Sequence, residues 1–263
     1  MRPPAKRGMA SAMSNDFADQ VVVVTGASAG IGAALAVELA RRGARLALVA
    51  RRRDRLEEVA RKAGGAVVVV ADVTRRAEVV AARDAALSRF GRIDAWVNNA
   101  GRGITRPVEA LTDDDLDQMF RDNVKSALYG MQAVLPHLKE RGRGTIVNVS
   151  SMLGRVPFAT ARSAYCAAKA ALDSLAEALR MDLAREFPGI RVVTVFPGVV
   201  ATEFGNNALF GGPDSRTFPG AQPVEEVARI IAEGMQGGPA DVYTRPDGLE
   251  RALGHLKGLA GAR

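Results

Sequence analysis

Tyr165 and Lys169 stand four residues apart in the run Ser163-Ala164-Tyr165-Cys166-Ala167-Ala168-Lys169. Residues i and i+4 share one face of a helix, so a phenol and an ammonium there address a single site. An isolated phenol ionises near pH ~10, too high for easy proton exchange at neutrality. A neighbouring cation favours the phenolate and is expected to lower that pKa, which would make the pair a general acid–base centre. The same spacing is common on exposed helix faces, so its meaning depends on the rest of the chain.

A nucleotide would supply the reaction. Thr25-Gly26-Ala27-Ser28-Ala29-Gly30-Ile31-Gly32 joins an apolar β-branched run, 21–25, to a helical pattern over 31–42. Glycines let backbone N–H groups approach a pyrophosphate, and a helix N-terminus adds partial positive charge. The spacing is Gly-x-x-x-Gly-x-Gly, not the commoner dinucleotide fingerprint, but its place between strand and helix favours a nucleotide loop over an ordinary turn. The second strand, 45–50, runs into Arg51-Arg52-Arg53. A carboxylate at that strand end would accept from a ribose 2′-OH and select NAD. Arginine there suits a 2′-phosphate, with Arg51 first and Arg52 second, so NADP(H) is expected over NAD(H). The competing reading is a solvated basic helix start. Asp72 ends the third strand and is placed for the adenine edge, with Asn98 on the same rim.

These residues need a scaffold that brings strand ends together. Strands are expected at 21–25, 45–50, 66–71, 93–97, 145–149, 191–196 and 240–244. Helices are expected at 31–42, 53–62, 78–90, 112–139, 163–187 and 223–235. Asp113, Asp114 and Asp115 suit the first turn of the fourth helix, which begins at Thr112. Strict alternation predicts an α/β fold: a Rossmann-like, doubly wound parallel sheet with helices on both faces, in a single domain. The domain is expected over 20–247, with a loose stretch at 203–222, a flexible basic leader at 1–19 and a tail at 248–263. Met9 and Met13 are alternative starts.

The 263 residues, 48% apolar, are enough for one large core. No apolar run reaches the ~20 residues that cross a bilayer, and the leader has no secretory apolar segment, so no membrane and a cytoplasmic location are expected. Cys166 is the only cysteine, which rules out an intramolecular disulfide and a cysteine metal cluster; no metal site is expected. The formal charge of +7 comes mostly from Arg2, Lys6 and Arg7 at one end and Arg251, Lys257 and Arg263 at the other. The body is then close to neutral, and nucleic acid is not an expected partner.

Taken together, the chain resembles the short-chain dehydrogenase/reductase family over roughly 20–245. The resemblance rests on the ordered series of the glycine loop, Asp72, Asn98-Asn99-Ala100-Gly101, Asn123, Ser150-Ser151, Tyr165-x-x-x-Lys169 and Pro197-Gly198. It implies hydride transfer between a nicotinamide and a small-molecule carbonyl or secondary alcohol. Tyr165 would donate the proton, or accept it in the oxidising direction. Lys169 would lower the phenol pKa and bond the nicotinamide ribose, Ser151 would stabilise the developing alkoxide, and Asn123 would hold a water in a relay toward Lys169. The resemblance places the cofactor against Gly26, Ser28, Gly30, Ile31, Gly32, Arg51, Arg52, Asp72, Val73, Asn98, Ala100, Gly101, Tyr165, Lys169, Pro197, Gly198 and Thr202.

Ser151 precedes Tyr165 by one residue more than is usual in the family, an excess that the 158–163 loop absorbs. Strand alternation lets only one of Ser150 and Ser151 face the cofactor, and Ser151 is preferred. Phe204, Leu209 and Phe210 fall in the family's substrate lid, where they cover an apolar part of a substrate, pack the lid or meet another subunit. A homodimer or homotetramer is implied, with helices near 112–140 and 163–187 at one interface. The competing functions are a 3-oxoacyl carrier-protein reductase and an NADP-binding regulator without catalysis; intact Asn123, Ser151, Tyr165 and Lys169 argue against the latter.

Overall fold

The computed structural model describes residues 15–261. Seven strands, β1 (Val21–Thr25), β2 (Arg45–Ala50), β3 (Val67–Val70), β4 (Ala95–Asn98), β5 (Gly144–Val149), β6 (Ile190–Phe196) and β7 (Asp241–Tyr243), form one parallel sheet. Their order is β3-β2-β1-β4-β5-β6-β7. The chain winds outward from β1 to β3, then returns past β1 to start β4. That reversal opens a crevice at the carboxyl ends of β1 and β4, where such sheets bind ligands.

The central strands β1 and β4 are buried on both faces, as a parallel sheet demands, whereas the edge strand β3 is part-buried and leaves Val70 exposed. Val22 and Val24 of β1 pack with Leu35 and Leu39 of α1 (Gly30–Arg41), Leu56 of α2 (Arg53–Lys62) and Ile231 of α8 (Val224–Gln236). Val23 points the other way, into a core with Val79 of α3 (Arg76–Phe90), Val134 of α5 (Ser126–Arg141) and Leu172 of α7 (Ser163–Leu183). Alternation along one strand thus fills two separate cores.

Four expectations change. The helix expected over 112–139 is three pieces: α4 (Asp113–Phe120), a π-turn (Arg121–Lys125) and α5. The helix begins after Thr112 as expected, and Thr112 and Asp115 close a capping box there. A short helix, α6 (Met152–Arg155), follows β5. The tail forms a further helix, α9 (Gly248–Gly261), with Ala252 buried. Finally, the leader is not separate from the domain up to residue 19. Phe17 is fully buried in the α1 core, its N–H donates to Arg42 O at 3.1 Å, and Arg42 pairs with Asp16 and Glu38. Residues 1–14 and 262–263 of the expected leader and tail lie outside the described residues. Among the described residues, no helix is long and apolar enough to cross a membrane, and no three potential metal ligands cluster.

Candidate active site

The glycine loop is held from the β4 side. Thr25 Oγ1 donates to Val97 O at 3.0 Å and accepts from Asn99 N at 3.0 Å and Ala100 N at 3.3 Å. Asn99 Nδ2 donates to Thr25 O at 3.0 Å and Gly26 O at 3.3 Å. Gly26 sits at φ +65, and a Cβ there would fall 2.8 Å from Ala100 Cα, so glycine is required twice over. A Cβ on Gly32 would meet Gly26 O at 2.5 Å. Gly30 faces Thr202 across the crevice, with Thr202 Cγ2 3.4 Å from where its Cβ would be.

Here α1 begins with no side-chain cap and no acidic residue in its first turn, and Ile31 behind it packs toward the core. Its leading N–H groups are left for an external acceptor, and the dipole favours an anion. The loop, bare of side chains at Gly26 and Gly30, fits the pyrophosphate of a dinucleotide.

The neighbouring rim gathers the expected adenosine-side residues. Arg52 Nη2 donates to Ser28 Oγ at 3.1 Å, and Arg51 is exposed beside it at the end of β2. Burial would raise the Asp72 carboxyl. Hydrogen bonds from Thr74 N at 3.0 Å and Thr74 Oγ1 at 2.8 Å, with the Arg51 charge, hold it below its ordinary value instead. Val73 packs on the adjoining core. Asn98 differs from expectation. Its side chain accepts from Trp96 Nε1 at 2.8 Å and donates to Asn148 Oδ1 at 2.9 Å, beneath Gly130 of α5. Only its backbone is left for the rim, because the strand alternation that buries Trp96 buries Asn98 with it.

On the other side of the crevice α7 carries Tyr165 and Lys169, both buried. The Lys169 ammonium lies 5.7 Å from the Tyr165 ring centre and donates to Val149 O at 2.9 Å. The π-turn delivers Asn123 to the same place. Its Nδ2 donates to Arg102 O at 2.9 Å and Met119 O at 3.0 Å, and its Oδ1 accepts from Arg102 N at 3.2 Å. Gly101 leaves room for both: a Cβ there would fall 2.7 Å from Asn123 Oδ1 and 3.5 Å from Lys169 Nζ. A π-turn widens a helix by one residue, and here it re-aims one side chain.

The two serines part as alternation requires. Ser151 caps α6, accepting from Leu153 N at 3.1 Å, and its hydroxyl lies beside the phenol. Ser150 is buried beside Asp173, one helical turn beyond Lys169. Pro197 O accepts from Met152 N at 2.9 Å and Gly198 packs under Arg245, which fixes the chain leading to Thr202.

Electrostatically the site departs from the expectation for Tyr165. Burial pushes its phenol above the ordinary value, opposed by Ser151 and the Arg162 charge. Burial also lowers the Lys169 ammonium, to about 8, against the pull of Asp173. Asp173 is itself raised to about 6 by burial, opposed by Ser150, Arg155 and Lys169. The ammonium points at a carbonyl, not the phenol, so desolvation outweighs the through-space attraction. Asp173 is signalled in the sequence only by its i+4 step from Lys169, and Asn99, expected as part of the Asn98-Asn99-Ala100-Gly101 motif, ties down the glycine loop through contacts that the motif does not specify.

The loose stretch expected at 203–222 is bonded to the segment after Gly101. Leu209 N donates to Gly103 O at 2.8 Å, Thr105 N donates to Leu209 O at 3.0 Å, and Thr105 Oγ1 donates to Gly211 O at 2.6 Å. The Phe204 ring tilts over Tyr165 with centroids 5.6 Å apart, while Phe210 stacks on the Arg106 guanidinium.

Comparison with known proteins shows the family and the fold. The family model of the short chain dehydrogenase matches residues 20–209. An uncharacterized oxidoreductase of Staphylococcus saprophyticus is 41% identical over 72% of this chain and 77% of its own length. A short-chain dehydrogenase/reductase from Burkholderia phymatum, solved with NAD, superposes with a TM-score of 0.84 over 94% of this chain and 96% of its own; at 24% identity that likeness concerns the fold. A short chain dehydrogenase from Burkholderia cenocepacia, solved with NADP, is 30% identical, with a TM-score of 0.76 over 94% of this chain and 95% of its own.

Proposed function

This chain belongs to the short-chain dehydrogenase/reductase family, as an NAD(P)-dependent oxidoreductase, and from that premise we propose that it is an NADP-preferring carbonyl reductase or secondary-alcohol dehydrogenase with Tyr165 as general acid–base. The observation that carries the reading is the convergence of Tyr165, Lys169, Ser151 and Asn123 on the side of the crevice facing the glycine loop.

A nicotinamide dinucleotide held by the glycine loop would, when bound, supply or take the hydride. The Tyr165 hydroxyl gives its proton to the carbonyl oxygen in reduction and receives it in oxidation. A phenol raised by burial stays protonated at neutral pH, ready to donate. Ser151 offers a hydroxyl donor to the oxygen as charge develops, within a pocket whose burial strengthens that bond. Lys169 holds a positive charge behind the phenol, favouring the phenolate left after proton transfer. Asn123 is clamped by three bonds to the main chain and to Met119, so its role is to fix the Arg102 backbone and the floor beneath Lys169. Phe204 roofs the phenol and limits water.

The cofactor preference rests on Arg51 and Arg52 at the end of β2, where no carboxylate stands to accept from a ribose 2′-OH. A 2′-phosphate would find two guanidinium groups there. A cytoplasmic homodimer or homotetramer completes the reading. It is supported by exposed Leu116 on α4 and Met181 on α7, on the helices that the family resemblance assigns to an interface.

The test is NADPH oxidation over a panel of ketones, sugars, quinones and acyl thioesters, with Tyr165→Phe alongside. Turnover of at least one carbonyl, reduced about 10²–10⁴-fold in the variant with NADPH binding retained, is expected. Undiminished turnover in Tyr165→Phe would sink the mechanism.

A further inference from the structure

The substrate side of the crevice holds a cation with no acidic partner among the described residues. Of the arginines around the lid, Arg106 pairs with Asp115 at 2.6 Å, and Arg216 pairs with Asp214 at 2.6 Å and Glu203 at 3.4 Å. Arg102 donates its Nε–H to Asn207 O at 3.0 Å. Arg162, by contrast, is half-buried and makes neither an ion pair nor a hydrogen bond with any described side chain.

Its position is built. Ala161, immediately before it, adopts φ +57, a left-handed conformation that a residue with a Cβ rarely takes. The turn is pinned by the Arg106 N–H, which donates to Ala161 O at 2.7 Å. Strain of this kind persists where surrounding contacts enforce it, and it collects at working sites. Beyond the turn the guanidinium enters a slot between two glycines. A Cβ on Gly103 would fall 2.8 Å from Arg162 Nη1, and one on Gly212 would fall 2.8 Å from Nη2. The same point on Gly103 is 3.1 Å from Phe204 Cε1, and Phe204 lies over Tyr165. The Arg162 charge acts on the phenol, favouring its ionised form. Phenol, aromatic roof and guanidinium therefore border one small volume under the lid.

With no carboxylate opposite it among the described residues and solvent within its reach, this guanidinium is open to receive an oxyanion through charge-assisted hydrogen bonds. From this we propose that Arg162 binds an oxyanion of the substrate, so that the enzyme acts on carbonyl compounds or secondary alcohols bearing a carboxylate or phosphate group. The inference rests on the oxidoreductase reading above. Hydride and proton add across C=O to give CH–OH, while the oxyanion stays chemically unchanged on the guanidinium. Bidentate bonding to two oxygens would orient the carbonyl toward Tyr165, with the carbon chain beneath Phe204.

The experiment compares charged and neutral forms of one carbonyl. Initial rates with NADPH are measured for 3-oxohexanoate against its methyl ester, and for hydroxyacetone phosphate against hydroxyacetone. Wild-type kcat/KM should favour the anion at least about tenfold in one pair or both, and the pair that responds distinguishes carboxylate from phosphate. In Arg162→Gln the ratio should fall toward one, mainly through KM, and Arg162→Lys should retain part of it. Because each ratio is taken within one protein, a general loss of activity cancels. A wild-type ratio near one in both pairs overturns the proposal. So does a ratio unchanged in Arg162→Gln while the pH profile moves, which would mean that Arg162 only tunes the phenol.

A binding measurement covers the case in which no carbonyl in the panel turns over. Calorimetric titration of the NADP-loaded protein with hexanoate and with hexanamide should show the acid bound more tightly in the wild type and not in Arg162→Gln. Equal affinities overturn a carboxylate site, the same comparison of propyl phosphate with propanol decides the phosphate form, and equality in both overturns the anion site. Absence of turnover beside preserved acid selectivity counts against the oxidoreductase reading alone.

Discussion

Lys169 donates to the Val149 main-chain carbonyl at 2.9 Å while its ammonium lies 5.7 Å from the centre of the Tyr165 ring. The two residues share a helix face, but the lysine is anchored to β5 rather than to the phenol. Burial then acts on both in the direction that opposes charge: the phenol rises and the ammonium falls.

The Lys169 ammonium, lowered to about 8, is lost as pH rises through that value. Activity that depends on its charge should therefore decline above about pH 8. The groups facing this pair are Asp173, Ser150, Arg155, Asp241 and Tyr243. Asp173 supports the ammonium, so Asp173→Asn should move the high-pH limb of kcat/KM to lower pH, read from profiles of both proteins. An unmoved limb would show that Asp173 has no hold on Lys169. For stability the signs oppose function. The raised Asp173 carboxyl contributes stability below its ordinary 3.8 that is lost as pH rises through about 6. The lowered Lys169 contributes stability above its ordinary 10.5 that is lost as pH falls through about 8. Between those two values both groups are charged at a cost to the fold.

Arg51→Ala should weaken NADPH binding about tenfold or more, near 1.4 kcal/mol, and leave NADH binding little changed. Fluorescence titration with each nucleotide measures this directly. Equal losses for both nucleotides would place Arg51 away from the 2′ position. Arg52→Ala should have a smaller effect, because Arg52 already donates to Ser28.

At the opposite end of the sheet, Asp94 accepts from Val21 N at 2.9 Å and Arg141 Nη2 at 3.0 Å, and pairs with Arg92. Burial would raise its carboxyl, but these donors hold it below its ordinary value. A lowered carboxylate stabilises the fold above the unfolded pKa of 3.8, and that contribution fades as pH falls below it. Asp94→Ala should cost about 1–3 kcal/mol at pH 7, and the difference from wild type should shrink by pH 3. Urea denaturation at the two pH values tests the sign. Cofactor binding should be unaffected, since Asp94 lies at the far edge from the crevice.

Much of this architecture was written locally. The runs 21–25, 45–50 and 191–196 are mostly apolar because both sheet faces are covered, with Arg45 and Arg191 at their starts, and each matches its strand bounds closely. The glycine loop was readable because positive φ and backbone crowding leave few alternatives at Gly26. The break in the 112–139 helix is not legible in the sequence, because helical periodicity barely changes across a π-turn and Asn123 is accommodated there by contacts with Arg102 and Met119. Phe17 falls within the expected basic leader, since only its place against the α1 core distinguishes it from an exposed residue.

The sequence by itself determined the strands and most of the helices, their parallel winding and the spacing that puts Tyr165, Lys169 and Asp173 along one helix face, because those follow from period, chirality and the fixed rise of a helix. The tertiary structure alone decided what those groups meet: Val149 O for the ammonium, Ser151 for the phenol, and for Arg162 a glycine-walled slot under the lid. Burial and long-range contact set protonation and charge pairing, and neither is a property of any short stretch of chain.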